Sequence, residues 1–291
     1  MEKLLLKGCG TAMFTPFKDG KVDLDTMAKL TRRQVDAGID FLVPLGTTGE
    51  TPCLSADEKK QVFAVVKENA GPLPVVVGVG TNSVDGTFGN IDLLPDADAY
   101  LVVAPYYNKP PQRGLYAYFK AVAEHTPKPI ILYNVPGRTG CNIAAETTLA
   151  LARDIPNIIA VKEASGKLDQ CREILVDAPA GFALLSGNDD DTLALMRGGA
   201  MGVISVASNV CPELMAEFTH AALAEDWPRA EALDKRLHAL FKNLFVEPNP
   251  IPGKAAMAQL GLMENSLRLP LVTALPETET LMSETLKELY E

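Results

Sequence analysis

Pro129-Ile-Ile-Leu-Tyr133 and Ile158-Ile-Ala-Val161 are short apolar runs, continuous rather than alternating. That pattern is expected of strands buried on both faces, as in a parallel sheet covered by helices. The same signature recurs upstream at 10–14, 40–45, 74–79 and 100–104, and downstream at 182–185 and 201–205. Helical spacing follows each run. Ser55-Ala-Asp-Glu58 is a capping box opening a helix to about Asn69, and Asp23 caps a second helix that Gly38 stops. Eight strand–helix units in 291 residues predict an α/β fold, a (β/α)8 TIM barrel, in preference to a doubly wound sheet.

The surplus over a minimal barrel lies at the C-terminal end. Beyond Ser205 only helical patterns remain, at 211–225, 227–245, 252–260 and 277–289. The expected organisation is a barrel over 1–210 and a C-terminal helical extension over 211–291. One unit is irregular: Gly86, Gly89 and Pro95 fall where the third helix belongs, so that helix is expected to be short or broken.

Composition narrows the function. The 27 Lys+Arg against 37 Asp+Glu leave a formal charge of −10, which repels phosphate backbones and anionic headgroups, and no basic run offsets it. Neither nucleic acid nor a membrane is an expected partner. Five cysteines, at 9, 53, 141, 171 and 211, are an odd number without a C-x-x-C pair, against a disulfide framework or a structural zinc. Three leucines before Lys7 fall short of a leader core, and no run approaches membrane-span length. The expectation is a reduced, soluble, cytoplasmic protein.

In a barrel, reacting groups lie just after the strands, at one mouth. Strand two is followed by Gly46-Thr-Thr-Gly-Glu50, whose hydroxyls and adjacent N–H groups suit a carboxylate, though a plain turn and helix cap fits as well. Lys162 directly follows Val161; in a low-dielectric mouth its amine is freed to attack a carbonyl, the alternative being a buried salt bridge with Glu163. Tyr133, level with it on the preceding strand, offers a phenolic proton unless it is simply a packed aromatic. Arg138 sits in the loop Val135-Pro-Gly-Arg-Thr-Gly140, suited to a substrate carboxylate or, taken alone, to a surface cation.

Other signals are weaker. Gly8-x-Gly10 and Gly78-x-Gly80 lack the third glycine of a dinucleotide loop, and no P-loop is present. Asn188-Asp-Asp-Asp191 reads as helix capping, with no histidine nearby to suggest a metal. His125, His220 and His238 fall inside helical stretches, where surface or satisfied-core roles fit best. No cofactor and no metal are expected.

Seven motifs in order carry a resemblance over nearly the whole chain: Gly46-Thr-Thr-Gly-Glu50, Pro105-Tyr-Tyr-Asn-Lys-Pro110, Tyr133-Asn-Val-Pro-Gly-Arg-Thr-Gly140, Val161-Lys-Glu-Ala-Ser-Gly166, Ser186-Gly-Asn-Asp189, Gly202-Val-Ile-Ser205 and Asn249-Pro-Ile-Pro252. The chain resembles the dihydrodipicolinate synthase family, within the pyruvate-dependent class I aldolases that include N-acetylneuraminate lyase. The resemblance implies that Lys162 forms a Schiff base with pyruvate, that the derived enamine attacks L-aspartate 4-semialdehyde, and that the reaction belongs to diaminopimelate and lysine biosynthesis. It implies proton relay by Tyr133, Thr47 and Tyr107, the last from a neighbouring subunit of a homotetramer, or at least a dimer. It also implies that Thr48, Gly187 and the Ile204 carbonyl serve pyruvate, and that Arg138 serves the semialdehyde carboxylate.

Sialic acid lyases look similar around the tyrosine and lysine but generally lack an arginine where Arg138 stands. The synthase is therefore preferred over a lyase acting on sialic acid or a 2-keto-3-deoxy sugar acid. A keto-acid sensor without turnover is disfavoured, because binding alone needs no amine. Two departures from the family matter: the shortened third helix beside the Tyr106/Tyr107 region, and Lys59 and Gly86 at positions where lysine-inhibited members carry a histidine or acid and a glutamate. Weak or absent inhibition by lysine is expected.

Overall fold

The computed structural model describes residues 4–291; the start of the N-terminal segment read for a leader lies outside them. The strands are β1 (Gly8–Ala12), β2 (Phe17–Lys18), β3 (Lys21–Val22), β4 (Phe41–Val43), β5 (Val76–Gly78), β6 (Ala99–Val103), β7 (Ile130–Asn134), β8 (Ile158–Glu163), β9 (Ala183–Ser186) and β10 (Gly202–Ser205). Eight form one sheet in the order β4-β1-β10-β9-β8-β7-β6-β5, and every pairing recorded along it is parallel. The two ends approach closure: Leu42 in β4 bridges Val75, the residue before β5, and Leu42 N–H donates to Pro74 O. This is the barrel expected from the eight apolar runs.

The helices are α1 (Leu24–Asp36), α2 (Ala56–Asn69), α3 (Val84–Leu93), α4 (Gln112–His125), α5 (Pro136–Thr139), α6 (Ala145–Asp154), α7 (Leu168–Asp177), α8 (Thr192–Arg197), α9 (Pro212–Leu223), α10 (Trp227–Asn243), α11 (Ile251–Gln259) and α12 (Pro276–Tyr290). Asp23 accepts from Thr26 N–H at the start of α1, and Gly38 follows that helix with φ +80°. The Ser55/Glu58 capping box is complete at the start of α2. The third helix is short but unbroken, because Ser83 caps it by accepting from Gly86 N–H. Among the described residues no helix is long and apolar enough to cross a membrane.

The chain divides into two compact units. The first comprises Val76–Ile204 with the N-terminal residues through Gly8. Its strands β7 and β8 are buried along their whole length, each side chain such as Ile131, Leu132 or Val161 contributing roughly 1.5–3 kcal/mol by leaving water. Gly8 and Gly202 meet so closely that a Cβ on Gly202 would fall 1.9 Å from the Gly8 carbonyl oxygen. Only glycine fits there.

The second unit comprises Cys9–Val75 and Ser205–Glu291. It holds the helices α9 to α12, close to the four helical patterns read after Ser205. It also holds an antiparallel pair, β2 with β3, that the apolar runs do not include. Asp19 and Gly20 turn it with φ of +50° and +75°, the positive pair that a tight hairpin requires.

Candidate active site

Lys162 is the fifth residue of β8, not the residue after its strand, since the ladder continues to Glu163 opposite Ser186. Hydrophobicity ends at Val161, but hydrogen bonding does not. In β7 and β8 Tyr133 is the direct partner of Lys162, and Asn134 of Glu163. The Lys162 Nζ lies 4.5 Å from the Tyr133 ring centroid, with Lys162 only 5 % exposed.

Neighbours along a strand point to opposite faces, so the Lys162–Glu163 salt bridge entertained from sequence does not form. Glu163 is instead satisfied on its own face. Its Oε1 accepts from Asn134 Nδ2 and Ser165 N–H, and its Oε2 accepts from Asn134 Nδ2 and Gln170 Nε2. Asn142 extends the network to Gln170 and Asn134. Lys162 is left to a different environment. Burial pulls its ammonium down from the usual 10.5 to about 8, a fall that the Asp189 carboxylate opposes and the Arg138 guanidinium assists. An amine that releases its proton near neutral pH is a competent nucleophile toward a ketone.

Asp189 is itself a correction. Capping was expected of Asn188-Asp-Asp-Asp191, yet α8 begins with no side-chain cap, and Asp189 is buried and electrostatically coupled to Lys162. Asn188 Nδ2 donates to Asp191 within the turn. Among the described residues no group of three or more His, Cys, Asp or Glu could hold a metal ion. His125 stacks on Phe88 and hydrogen-bonds Asp92, and His220 hydrogen-bonds Asp40.

The remaining residues of this unit sit at strand ends. Gly187 follows β9, its N–H donating to Glu163 O at 2.7 Å. A Cβ there would press within 2.5 Å of Ala164 Cβ. Ile204 is fully buried in β10. Arg138 lies exposed in the single turn α5, which Gly140 closes at φ +74°. The same loop is tied to the one after β6: Thr139 O accepts from Tyr107 N–H, and Cys141 Sγ donates to Pro105 O. Tyr107 has φ +75°, a left-handed conformation that is costly for a non-glycine residue, and its side chain is 87 % exposed.

In the second unit, Thr47–Gly49 forms a single 3-10 turn after Leu45, and Leu45 and Glu50 both take positive φ. Thr47 is exposed and Thr48 is buried. Thr15 Oγ1 donates to Gly49 O, and Thr51 Oγ1 to Gly46 O. Three contacts here were not anticipated. Asn249 Nδ2 donates to Thr48 Oγ1 at 2.9 Å, Glu50 pairs with Lys254 with both side chains fully buried, and Arg268 N–H donates to Glu50 Oε2. Asn249 belonged to a recognised motif, but nothing local tells which residue it meets across 201 positions of sequence.

The comparisons with known proteins agree with this fold. Residues 5–289 match the model of the Dihydrodipicolinate synthetase family. A relative from Koribacter versatilis, named 4-hydroxy-tetrahydrodipicolinate synthase, is 48 % identical, covering 94 % of this chain and 92 % of its own. Another of the same name from Thermotoga neapolitana is 43 % identical over 98 % of this chain and 99 % of its own. The crystal structure of dihydrodipicolinate synthase from Thermotoga maritima superposes with a TM-score of 0.96 at 42 % identity, over 98 % of this chain and 99 % of that one. Sequence and fold thus match those of these relatives from end to end, and the chain belongs to the dihydrodipicolinate synthetase family.

Proposed function

We propose that this chain condenses pyruvate with L-aspartate 4-semialdehyde to 4-hydroxy-tetrahydrodipicolinate, as the activity named for its relatives implies, acting as a Schiff-base-forming lyase in diaminopimelate and lysine biosynthesis. The observation that carries this reading is Lys162, buried against the Tyr133 ring with its pKa brought to about 8.

The neutral Lys162 amine adds to the keto carbon of pyruvate, and loss of water leaves an imine. The imine withdraws electrons, so a methyl proton leaves and an enamine forms. That carbon attacks the aldehyde carbon of the semialdehyde, whose oxygen takes up a proton. The substrate's own amino group then displaces Lys162 from the imine carbon, closing the ring and returning the free lysine. One water is lost overall, and no cofactor is required.

Tyr133, whose ring lies 4.5 Å from Lys162 Nζ, passes protons at the carbinolamine, with Thr47 and Tyr107 as further members of the relay. Thr48 holds the pyruvate carboxylate, with Gly187 and the Ile204 carbonyl beside it. Arg138 takes the carboxylate of the semialdehyde through its planar fork. An exposed Tyr107 on a strained turn suits a side chain used by a second copy, in a homotetramer built as a dimer of dimers. The cytoplasm, where both substrates are expected, is the site of action.

Borohydride reduction in the presence of pyruvate, followed by peptide mass analysis, tests the reading. An adduct on Lys162 with turnover of aspartate semialdehyde is expected. No adduct, or an adduct with turnover only of sugar acids, overturns it.

A further inference from the structure

Two contacts tie the turn carrying Thr48 to the segment that opens α11. Glu50 and Lys254 form one, an ion pair whose side chains are fully buried, with Lys254 Nζ also donating to Thr15 O and Ser266 O. That contact ties side chain to side chain and, through Nζ, to two backbone carbonyls. The other joins Thr48 and Asn249, both buried, and it acts on a single hydroxyl.

A threonine hydroxyl has one proton to give and two lone pairs to receive with. Asn249 Nδ2 occupies one lone pair and, as an amide NH2, cannot accept the proton. Among the described residues no acceptor for the Thr48 proton is recorded. The hydroxyl is therefore turned to donate away from Asn249. We infer that Asn249 is a positioning residue that fixes Thr48 as a hydrogen-bond donor, so that the site takes the anionic carboxylate of a 2-oxo acid in preference to its neutral amide. This rests on the assignment of Thr48 to the pyruvate carboxylate.

Replacing the amide by an acid reverses the polarity. In Asn249→Asp the new carboxylate accepts the Thr48 proton, leaving oxygen lone pairs and an added negative charge toward the ligand. The test is steady-state kinetics with pyruvate varied at saturating semialdehyde, together with competition by pyruvamide. Asn249→Ala should raise the KM for pyruvate roughly fivefold and Asn249→Asp more than about tenfold, with kcat within a factor of about three, as expected for one hydrogen bond and then for a charge set against it. The ratio of pyruvamide to pyruvate affinity should rise in Asn249→Asp, a change that mere loosening of the turn would not produce.

Thr48→Val supplies the second arm. On that background Asn249→Ala should add nothing further to the pyruvate KM. If Thr48→Val raises KM but Asn249→Ala does not, the inference fails and the role of Thr48 stands. If neither moves KM, both fail. Additive effects of the two changes, or a loss confined to kcat, also overturn the inference. Should Asn249→Asp not fold, the Asn249→Ala and Thr48→Val cycle decides the question alone.

Discussion

Lys162 Nζ lies 4.5 Å from the centroid of the Tyr133 ring, and the two residues are paired directly in the β7–β8 ladder. Amine and phenol are thus placed by backbone hydrogen bonds of two paired strands. A slip of β8 by one residue would send Lys162 to the other face of the sheet, away from Tyr133.

The first expectation concerns pH. Because burial holds Lys162 near 8 instead of 10.5, the initial rate of borohydride-trapped pyruvate adduct should rise with pH and reach half its maximum near pH 8. Arg138→Leu should move that midpoint up, since the guanidinium favours the neutral amine, and Asp189→Asn should move it down. A midpoint near 10 in the unaltered protein would mean that the amine is solvated and not desolvated by the barrel.

Arg138 predicts a separation between the two substrates. Arg138→Ala should raise the KM for aspartate semialdehyde by roughly 10- to 100-fold, the worth of a charge-assisted pair of hydrogen bonds, while the pyruvate KM stays within about threefold. Equal losses for both substrates would assign the guanidinium to the shared steps instead.

Much of this arrangement was legible because it is local. Continuous apolar runs mark strands that are buried on both faces, and Asp23 and the Ser55/Glu58 box mark helix starts by short-range hydrogen bonds. The boundary at Lys162 was misjudged because apolarity stops at Val161 while the ladder continues to Glu163. That extension is possible because Asn134, Ser165 and Gln170 satisfy the buried Glu163 carboxylate. The β2–β3 hairpin has two residues in each strand, too few for a periodicity. Asn249 with Thr48 and Lys254 with Glu50 are meetings of residues about 200 positions apart, and no local pattern encodes such pairs.

The Glu50–Lys254 pair should dominate the stability of its surroundings. Glu50→Gln or Lys254→Met leaves one charge buried without its partner, at a cost of about 3–5 kcal/mol. The double substitution should recover most of that loss, because two well-packed neutral side chains avoid the desolvation that the pair endures. Urea titration of the four proteins measures it. A double variant as unstable as the sum of the singles would show that the hydrogen bonds to Thr15 O and Ser266 O matter more than the charges.

Inhibition by lysine should be weak or absent. This expectation rests on the resemblance: where lysine-inhibited members carry a histidine or acid and a glutamate, this chain has the cation Lys59 and Gly86, which has no carboxylate. A side chain at Gly86 is not readily added either, since its Cβ would lie 2.7 Å from Thr81 Oγ1 and 2.8 Å from Ser83 Oγ. Initial rates measured against rising L-lysine should stay flat through the sub-millimolar range; half-inhibition there would refute the expectation.

Glu58 and Arg268 form a two-pronged ion pair in the second unit. Arg268 Nη1 and Nη2 donate to the two carboxylate oxygens at 2.8 and 2.6 Å, while the guanidinium stacks 4.5 Å from the Phe17 ring. The Arg268 hydrogen bonds lead the forces that hold the Glu58 carboxyl at about 2, well below its usual 4.5. A depressed carboxylate stabilises the folded state fully above its unfolded pKa and loses that contribution as pH falls through the folded one. The relevant window is therefore pH 4.5 down to about 2. The displacement corresponds to at most about 3–4 kcal/mol, and water reaching this partly exposed pair reduces it to ~2 kcal/mol. Glu58→Gln should accordingly cost ~2 kcal/mol at pH 7, with most of that penalty gone near pH 2. Denaturant midpoints of both proteins across this range provide the measurement. A penalty that stays constant with pH would assign Glu58 a role in capping α2 through Ser55 N–H and not in ion pairing.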